Sequence, residues 1–300
     1  MRASLLVLAL FIPVAAAAQT TTPADYQNVL SSLGKQGDFK DNVLKINIPR
    51  NDLHVVVDGV ATPTPFGFGG WLAMTKGTGG MEVMMGDLVL TEDEVNPVMS
   101  ALLTNGLDVT ALHNHFLFDS PRVFYMHVHG HGTAADLAAK VKPVLALIGA
   151  HPPSTSGPAG RAITGTLNSA ALAMIVGYDG EQTGPVYKIT IGRSDVPLKE
   201  MGASINARMG LNTWAAFYGS DNDAVIAGDI AMLDREVTPV LKSLRSSGID
   251  VVAIHQHMTG TVPQVIFLHY WGKGAAQKLA TAFRDAIDQT GAKPKTAASH

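Results

Sequence analysis

Residues 86–115, GDLVLTEDEVNPVMSALLTNGLDVTALHNH, and residues 228–257, GDIAMLDREVTPVLKSLRSSGIDVVAIHQH, are one passage written twice, without a gap, 142 positions apart. Gly86, Asp87, Glu94, Val95, Pro97, Gly106 and Asp108 return as Gly228, Asp229, Glu236, Val237, Pro239, Gly248 and Asp250. Upstream the offset becomes 143: NVLKINIPR (42–50) answers PVYKITIGR (185–193), and GFGGWLAM (67–74) answers GLNTWAAF (210–217). The chain is therefore read as a duplication, with a first repeat at 24–150 and a second at 167–292. The Pro/Ser/Gly-rich HPPSTSGPAGR opens a linker at 151–166, and residues 293–300 form a flexible tail.

Within the repeated passage, Thr91 with Glu94 three residues on is a capping box that starts a helix. Val95, Val98, Leu102 and Leu103 supply its apolar stripe and Gly106 ends it. Pro97 falls at the start of the regular pattern, where it is tolerated. A strand (81–90) precedes the helix, a hairpin (108–116 and 122–130) follows, and Thr133 opens a last helix. A short leading helix and strands near 43–50, 53–60 and 71–75 complete each repeat. The expected fold class is α+β: a duplicated strand-helix-strand-strand-helix sandwich with antiparallel sheets, of ferredoxin-like flavour. No Gly-rich turn of the kind a dinucleotide fold requires follows a strand.

The hairpin carries the chemistry. ALHNHFLFDSPRVFYMHVHGHG (111–132) and AIHQHMTGTVPQVIFLHYWGKG (253–274) share His113/His255, His115/His257 and His127/His269, whereas His129 and His131 become Trp271 and Lys273. Side chains alternate along a strand. A turn centred near Asp119 then sets His113 opposite Tyr125 and His127 opposite Ala111. One face carries Ala111, His113, His115, Val123, Tyr125, His127 and His129, and the other Leu112, Phe124, Met126 and Val128. In the second copy Val251, Ala253, His255, His257, Phe267, His269 and Trp271 share the histidine face, and Val252, Ile254, Ile266 and Leu268 the core face. Helices should cover the apolar face and leave the histidines uncovered.

Imidazoles at i and i+2 of one strand, with a third on its neighbour, can reach one ion. His113, His115, His127, His255, His257 and His269 are thus the candidate metal ligands. With no cysteine in the chain, nitrogen-held divalent transition metals are the suitable class, zinc first, with copper, nickel or iron as alternatives. The other reading is a structural role, with the two histidine faces packed together between the copies. A third is an organic or phosphate-binding pocket without metal.

Other candidates are weaker. Glu82 could add a carboxylate but has Ala224 as its counterpart, and otherwise reads as an exposed strand residue. Asp87 and Asp229 read as capping a turn before a helix. Met81, Met84 and Met85 read as core packing before a thioether cluster. Arg50 and Arg193 are placed to pair with an anionic ligand or a repeated Asp, and Trp71 and Trp214 read as repeated core or pocket walls.

A net charge of −3 with 22 Lys plus Arg offers no basic field, so nucleic acid is not an expected partner. Arg2, the apolar run Leu5–Val14 and Ala16-Ala17-Ala18 before Gln19 read as a signal peptide at 1–18. The expected location is periplasmic or secreted, soluble once the signal is removed, with no transmembrane segment in the mature protein. No phosphate loop, Gly-x-Ser-x-Gly elbow or His-Glu-x-x-His helix is present, so no catalytic or organic-cofactor residue is assigned.

The run 103–132, LTNGLDVTALHNHFLFDSPRVFYMHVHGHG, and its copy at 246–274 resemble the duplicated LppY/LpqO domain of exported bacterial proteins. The resemblance covers nearly the whole mature chain and implies an extracytoplasmic location and two related halves. Lipoprotein members carry an acylated Cys that this chain lacks, so their membrane attachment is not implied. The resemblance brings no activity. Two functional expectations follow from the residues: an exported metal-binding protein with metal-dependent hydrolysis as its catalytic option, or a non-enzymatic envelope protein that binds a ligand or a protein partner. Either would take a small molecule or envelope component in a cleft between the histidine faces.

Overall fold

The computed structural model describes residues 21–151 and 159–292. The signal peptide expected at 1–18, residues 152–158 of the expected linker and the tail at 293–300 lie outside the described residues. Each half is an α+β unit built on a six-stranded antiparallel sheet. In the first half the order is Gly37–Lys40, Val43–Pro49, Gly69–Lys76, Glu82–Thr91, Val123–Gly132, Asp108–His113. The second repeats it with Gly180–Thr183, Val186–Gly192, Asn212–Gly219, Ala224–Leu233, Val265–Gly274, Asp250–His255. Three helices accompany each sheet: Ala24–Leu33, Glu92–Thr104 and Ala134–Leu145, then Ser169–Val176, Asp234–Ser246 and Ala276–Ile287. No described helix is long and apolar enough to cross a membrane.

The helices of each half cover one sheet face. Val98, Leu102, Leu137 and Val141 close over Leu44, Leu72, Met84 and Met126 in the first half. Val240, Leu244, Leu279 and Phe283 do the same over Ile189, Ile226 and Leu268 in the second. The opposite sheet faces meet each other, so the expected uncovered histidine side is covered by the other repeat. Two apolar clusters span this seam: Phe66, Phe116 and Tyr125 with Val225 and Trp271, and Ala73, Val83 and Met85 with Met209 and Phe267.

The hairpin register follows the expected pairing, Ala111 with His127 and His113 with Tyr125. A bulge interrupts both copies, between Val109 and Ala111 and between Val251 and Ala253. The extra residue reverses the alternation behind it. Val251 therefore packs on the helix side and Val252 on the seam side, the opposite of the expected order. Leu112 and Ile254, expected in the core, are exposed, because they lie near the ends of edge strands.

The capping box at Thr91 and Glu94 is present, with Thr91 N–H donating to Glu94 Oε2 at 2.8 Å. Pro97 sits inside the helix rather than at its start, but on an exposed turn where water can serve the carbonyl it leaves free. Glu94 does more than cap. Arg50 Nη1 donates to Glu94 Oε2 at 2.6 Å and to Val89 O, Arg50 Nη2 and Nε hold Asp52, and Gly149 N–H donates to Glu94 Oε1. The second half repeats the hub with Arg193, Asp195, Glu236, Ala231 O and Gly291 N–H. Each arginine thus joins a strand end to a helix start and to the loop after the last helix, and it meets the expectation of a repeated Asp partner, since Asp52 and Asp195 stand at equivalent positions 143 apart.

Arg193 is fully buried, so removing Glu236 leaves its charge to Asp195 alone, a partly exposed carboxylate, and strips Nη1 of its carboxylate partner. Glu236→Ala should cost about 3–5 kcal/mol of unfolding free energy, read from denaturant titration with unchanged denaturant slope. A loss below about 1 kcal/mol would remove the hub from the account of stability.

Candidate metal centre between the repeats

The site is built where the strand ladders place side chains on the bare sheet faces. Asp87 pairs with His127 across one ladder and Ala111 pairs with His127 across the next. Asp229, His269 and Ala253 repeat the arrangement. Gly86 and Gly228, just before the aspartates, have no room for a side chain. A Cβ would fall 2.5 Å from Leu72 Cδ2 at Gly86 and 2.6 Å from the Tyr270 ring at Gly228. Asp87 and Asp229 are therefore mid-strand residues facing the seam, not caps of a turn, and the Gly-Asp pair survives in both copies for packing and position.

All six histidines of the two copies converge in one cluster about an approximate twofold axis. His113 stacks on His255 with ring centroids 3.6 Å apart, His115 on His269 at 3.7 Å and His127 on His257 at 4.0 Å. Two sets bring their ligand atoms within 4.8 Å of one another: His113, His115 and His269, and His113, His127 and His255. Each set draws two histidines from the first half and one from the second, instead of three from one half. His115 also lies flat against Tyr125, and His257 against Phe267, which fixes the outer rings.

Hydrogen bonding sorts the two nitrogens of these rings. His269 Nδ1 is 3.1 Å from Gly228 O, and His113 and His255 direct Nδ1 to Asn114 O and Gln256 O at 3.4 Å. His127 and His257 take backbone bonds at Gly86 and Gly210. An Nδ1–H spent on a carbonyl leaves Nε2 as a bare lone pair. The Nε2 atoms of all six rings are buried without a hydrogen-bond partner. Each such group left unmet costs about 1–3 kcal/mol. Burial, and then the neighbouring imidazoles, keep the rings neutral: His113 is pushed down to about 2, His255 to about 4 by burial alone, and the other four well below the ordinary histidine value. Neutral, desolvated imidazole nitrogens within 4.8 Å of one another are donors that a borderline metal cation takes.

Beside the cluster lies a cavity of about 540 Å³, lined by Lys45, Trp71, Asp87 and His115 of one half and Lys188, Trp214, Asp229 and His257 of the other. Lys45 Nζ lies 4.6 Å from the centre of the Trp71 ring, and Lys188 Nζ 3.9 Å from that of Trp214. Burial pushes both lysines down to about 8. It pushes Asp87 up to about 7 and Asp229 well above the usual carboxylate range, the latter aided by Asp87. Asp229 Oδ2 is 3.4 Å from His257 Nε2, and Asp87 Oδ2 is 3.9 Å from His115 Nε2. The two tryptophans are pocket walls.

The remaining candidates separate. Glu82 is buried rather than exposed, accepting from Tyr26 Oη at 2.6 Å. Met84 packs under the helices, Met85 in the seam, and Met81 is exposed, so they form no thioether cluster. His129 and His131 meet Glu200 of the second half in a third convergent set. Lys45 and Lys188 were legible as a repeated charge within apolar strands, a signal that spacing arguments about histidine pass over. Glu200 has Val57 as its counterpart and carried no repeat signal.

No curated protein matches the chain. Among solved structures, it is similar to the trimeric bacterial microcompartment shell protein PduB at 13% identity and a TM-score of 0.21, covering 86% of this chain and 94% of that one. EtuB from Clostridium kluyveri matches at 8% identity and a TM-score of 0.20, covering 85% and 90%. These scores are too low for a shared architecture to be read from them. The family described as a Domain of Unknown Function (DUF1259) matches residues 27–147 and again 170–289. The chain belongs to that family, as two tandem copies of its domain.

Proposed function

We propose that this chain is an exported metal-binding protein that holds a divalent transition ion, zinc first, with imidazoles drawn from both repeats. The observation that carries the reading is the set of six buried, neutral, unpartnered Nε2 atoms whose Nδ1 sides face backbone carbonyls wherever a partner is present. His113 belongs to both central convergent sets and is the ligand on which they depend. A bound ion would supply Lewis acidity to whatever small molecule enters the adjoining cavity, and hydrolysis is the reaction class this donor set serves. Within that cavity Lys45 and Lys188 would meet anionic groups and Trp71 and Trp214 a flat or apolar part. The same lysine–tryptophan pairs support a second reading, a non-enzymatic receptor for a small molecule or envelope component. The LppY/LpqO affiliation, the periplasmic or secreted location and the division at 151–166 belong to this proposal.

Elemental analysis of untagged protein reconstituted in turn with Zn, Cu, Ni and Fe tests the metal reading. His113→Ala should lose metal from the central cluster, and His269→Ala should lose that part of it held with His115. Wild-type protein that takes up none of the four metals, or His113→Ala that holds as much as wild type, overturns it. Metal content without hydrolysis of any phosphate or carboxylate ester, together with ligand binding abolished by Lys188→Met, would favour the receptor.

The buried imidazoles also set the acid stability of the metal-free protein. Their folded values lie below the ordinary 6.5, so below that pH the unfolded chain binds more protons and stability falls with pH. The loss should begin near pH 6.5 and continue below pH 4, where His255 titrates in the folded state while His113, pushed down to about 2, stays neutral. Asp87, raised to about 7, acts in the opposite sense, but two carboxyls face six imidazoles. Thermal unfolding from pH 7.5 to 4 should show a steady fall that His113→Gln with His255→Gln flattens. A melting temperature flat or rising over that range contradicts the buried neutral cluster.

A further inference from the structure

The seam is nearly symmetric about the His113–His255 contact, and it breaks symmetry at one flank. Val123–Gly132 carries His129 and His131 where Val265–Gly274 carries Trp271 and Lys273. Opposite them, Leu198–Glu200 ends in Glu200, whose first-half counterpart at offset 143 is Val57. The two flanks close by different means. On one, the Trp271 indole joins Val57, Phe66 and Phe116 in an apolar cluster, and Lys273 Nζ meets Asp58 Oδ2 at 2.6 Å.

On the other flank, Glu200 Oε1 lies 2.8 Å from His129 Nε2 and 3.9 Å from His131 Nε2. Neither nitrogen is aligned with it as a hydrogen bond, and Glu200 Oε2 is buried without a partner as well. His129 is only 5% exposed. With no hydrogen bond made by His129 Nε2, His131 Nε2 or Glu200 Oε2, these atoms keep their lone pairs for a common ligand. Glu200 is held from behind, since Met201 O accepts from Thr78 N–H at 2.9 Å and from Thr78 Oγ1 at 2.7 Å across the seam.

We propose that His129, His131 and Glu200 form a second divalent transition-metal site, separate from the central cluster, which clasps one flank of the two repeats together. The three ligand atoms lie within 4.8 Å of one another, and Glu200 Oε1 is already inside the roughly 4.4 Å that bonds of about 2.0–2.2 Å to one ion can bridge, so a few tenths of an ångström of side-chain movement suffice to close the site. Two imidazoles and a carboxylate are a donor set for zinc that leaves a fourth position open. A pocket of about 200 Å³ walled by Thr78, Met81, Glu82 and Met201 reaches His131, whose side chain is 28% exposed, and gives an ion its entry.

The test uses the full chain with Zn²⁺ as the probe, counting bound metal after dialysis and measuring affinity by competition with a chromophoric chelator. Wild type should hold one Zn²⁺ per chain more than Glu200→Gln or His131→Ala. The affinity of that equivalent should fall by more than the roughly 10–100-fold that loss of a supporting group costs. Glu200→Gln preserves shape and His131 is part-exposed, so at least one variant keeps the fold, checked by circular dichroism. Lys273→Ala on the opposite flank should leave metal content unchanged, and His113→Ala should keep the Glu200-dependent ion. If Glu200→Gln and His131→Ala both retain wild-type stoichiometry and affinity, the clasp is an ordinary ion pair and the proposal falls. Loss in His113→Ala alone rejects this site and spares the central one, and loss in the Glu200 and His131 variants alone does the reverse.

Discussion

Each sheet of this protein has one face covered by its own helices and one that those helices leave bare. The bare faces are too apolar to stand in water: Val89, Tyr125, Val225, Trp271 and Phe267 all lie on them. They can be buried only against each other. That apposition sets the layer order helix–sheet–sheet–helix, and it takes the histidines out of solvent together with their apolar neighbours. Without it, the six imidazoles would be ordinary polar residues on two exposed sheets.

Once the faces close, the residues retained in both copies fall into two groups with different physical tasks. Arg50, Asp52 and Glu94, with Arg193, Asp195 and Glu236, stitch each half internally. Gly86-Asp87, Lys45, Trp71 and the three histidines, with their second-copy equivalents, all point into the seam or the cavity beside it. Polar groups in such a place must be paired or occupied. The Nδ1 bonds to backbone carbonyls satisfy one side of most rings and leave the Nε2 atoms to an occupant.

Duplication also supplies a comparison within one molecule. At the centre the twofold relation holds, and His113 and His255 meet as equivalents. At the flanks it fails: one side closes with an indole and a lysine–aspartate pair, the other with two imidazoles and a glutamate. The apolar closure shows what the seam needs for packing alone. The histidine flank exceeds that need, since it buries three unpaired polar atoms, His129 Nε2, His131 Nε2 and Glu200 Oε2, against the single indole Nε1 of Trp271 on the other side.

Much of this was legible in the residues alone. The repeat, ungapped over residues 86–115 and continuing upstream with a shift of one position, determined that there are two equivalent halves. Strand alternation determined that His113, His127 and their copies share a face, and capping chemistry placed the helix after Thr91. The alternation argument failed at Val251 and Val252, where a bulge inserts a residue that no local pattern announces. It also assigned Leu112 and Ile254 to the core, because burial at a strand end depends on what lies over it. The charged members of the cavity were misread or passed over for the same reason: Asp87 looks like a turn residue until its strand is known to run on through it. Which imidazoles meet was decided only by tertiary structure. Local sequence determines the face on which a side chain emerges, but ligand distances depend on how two sheets more than a hundred residues apart in the chain are brought face to face.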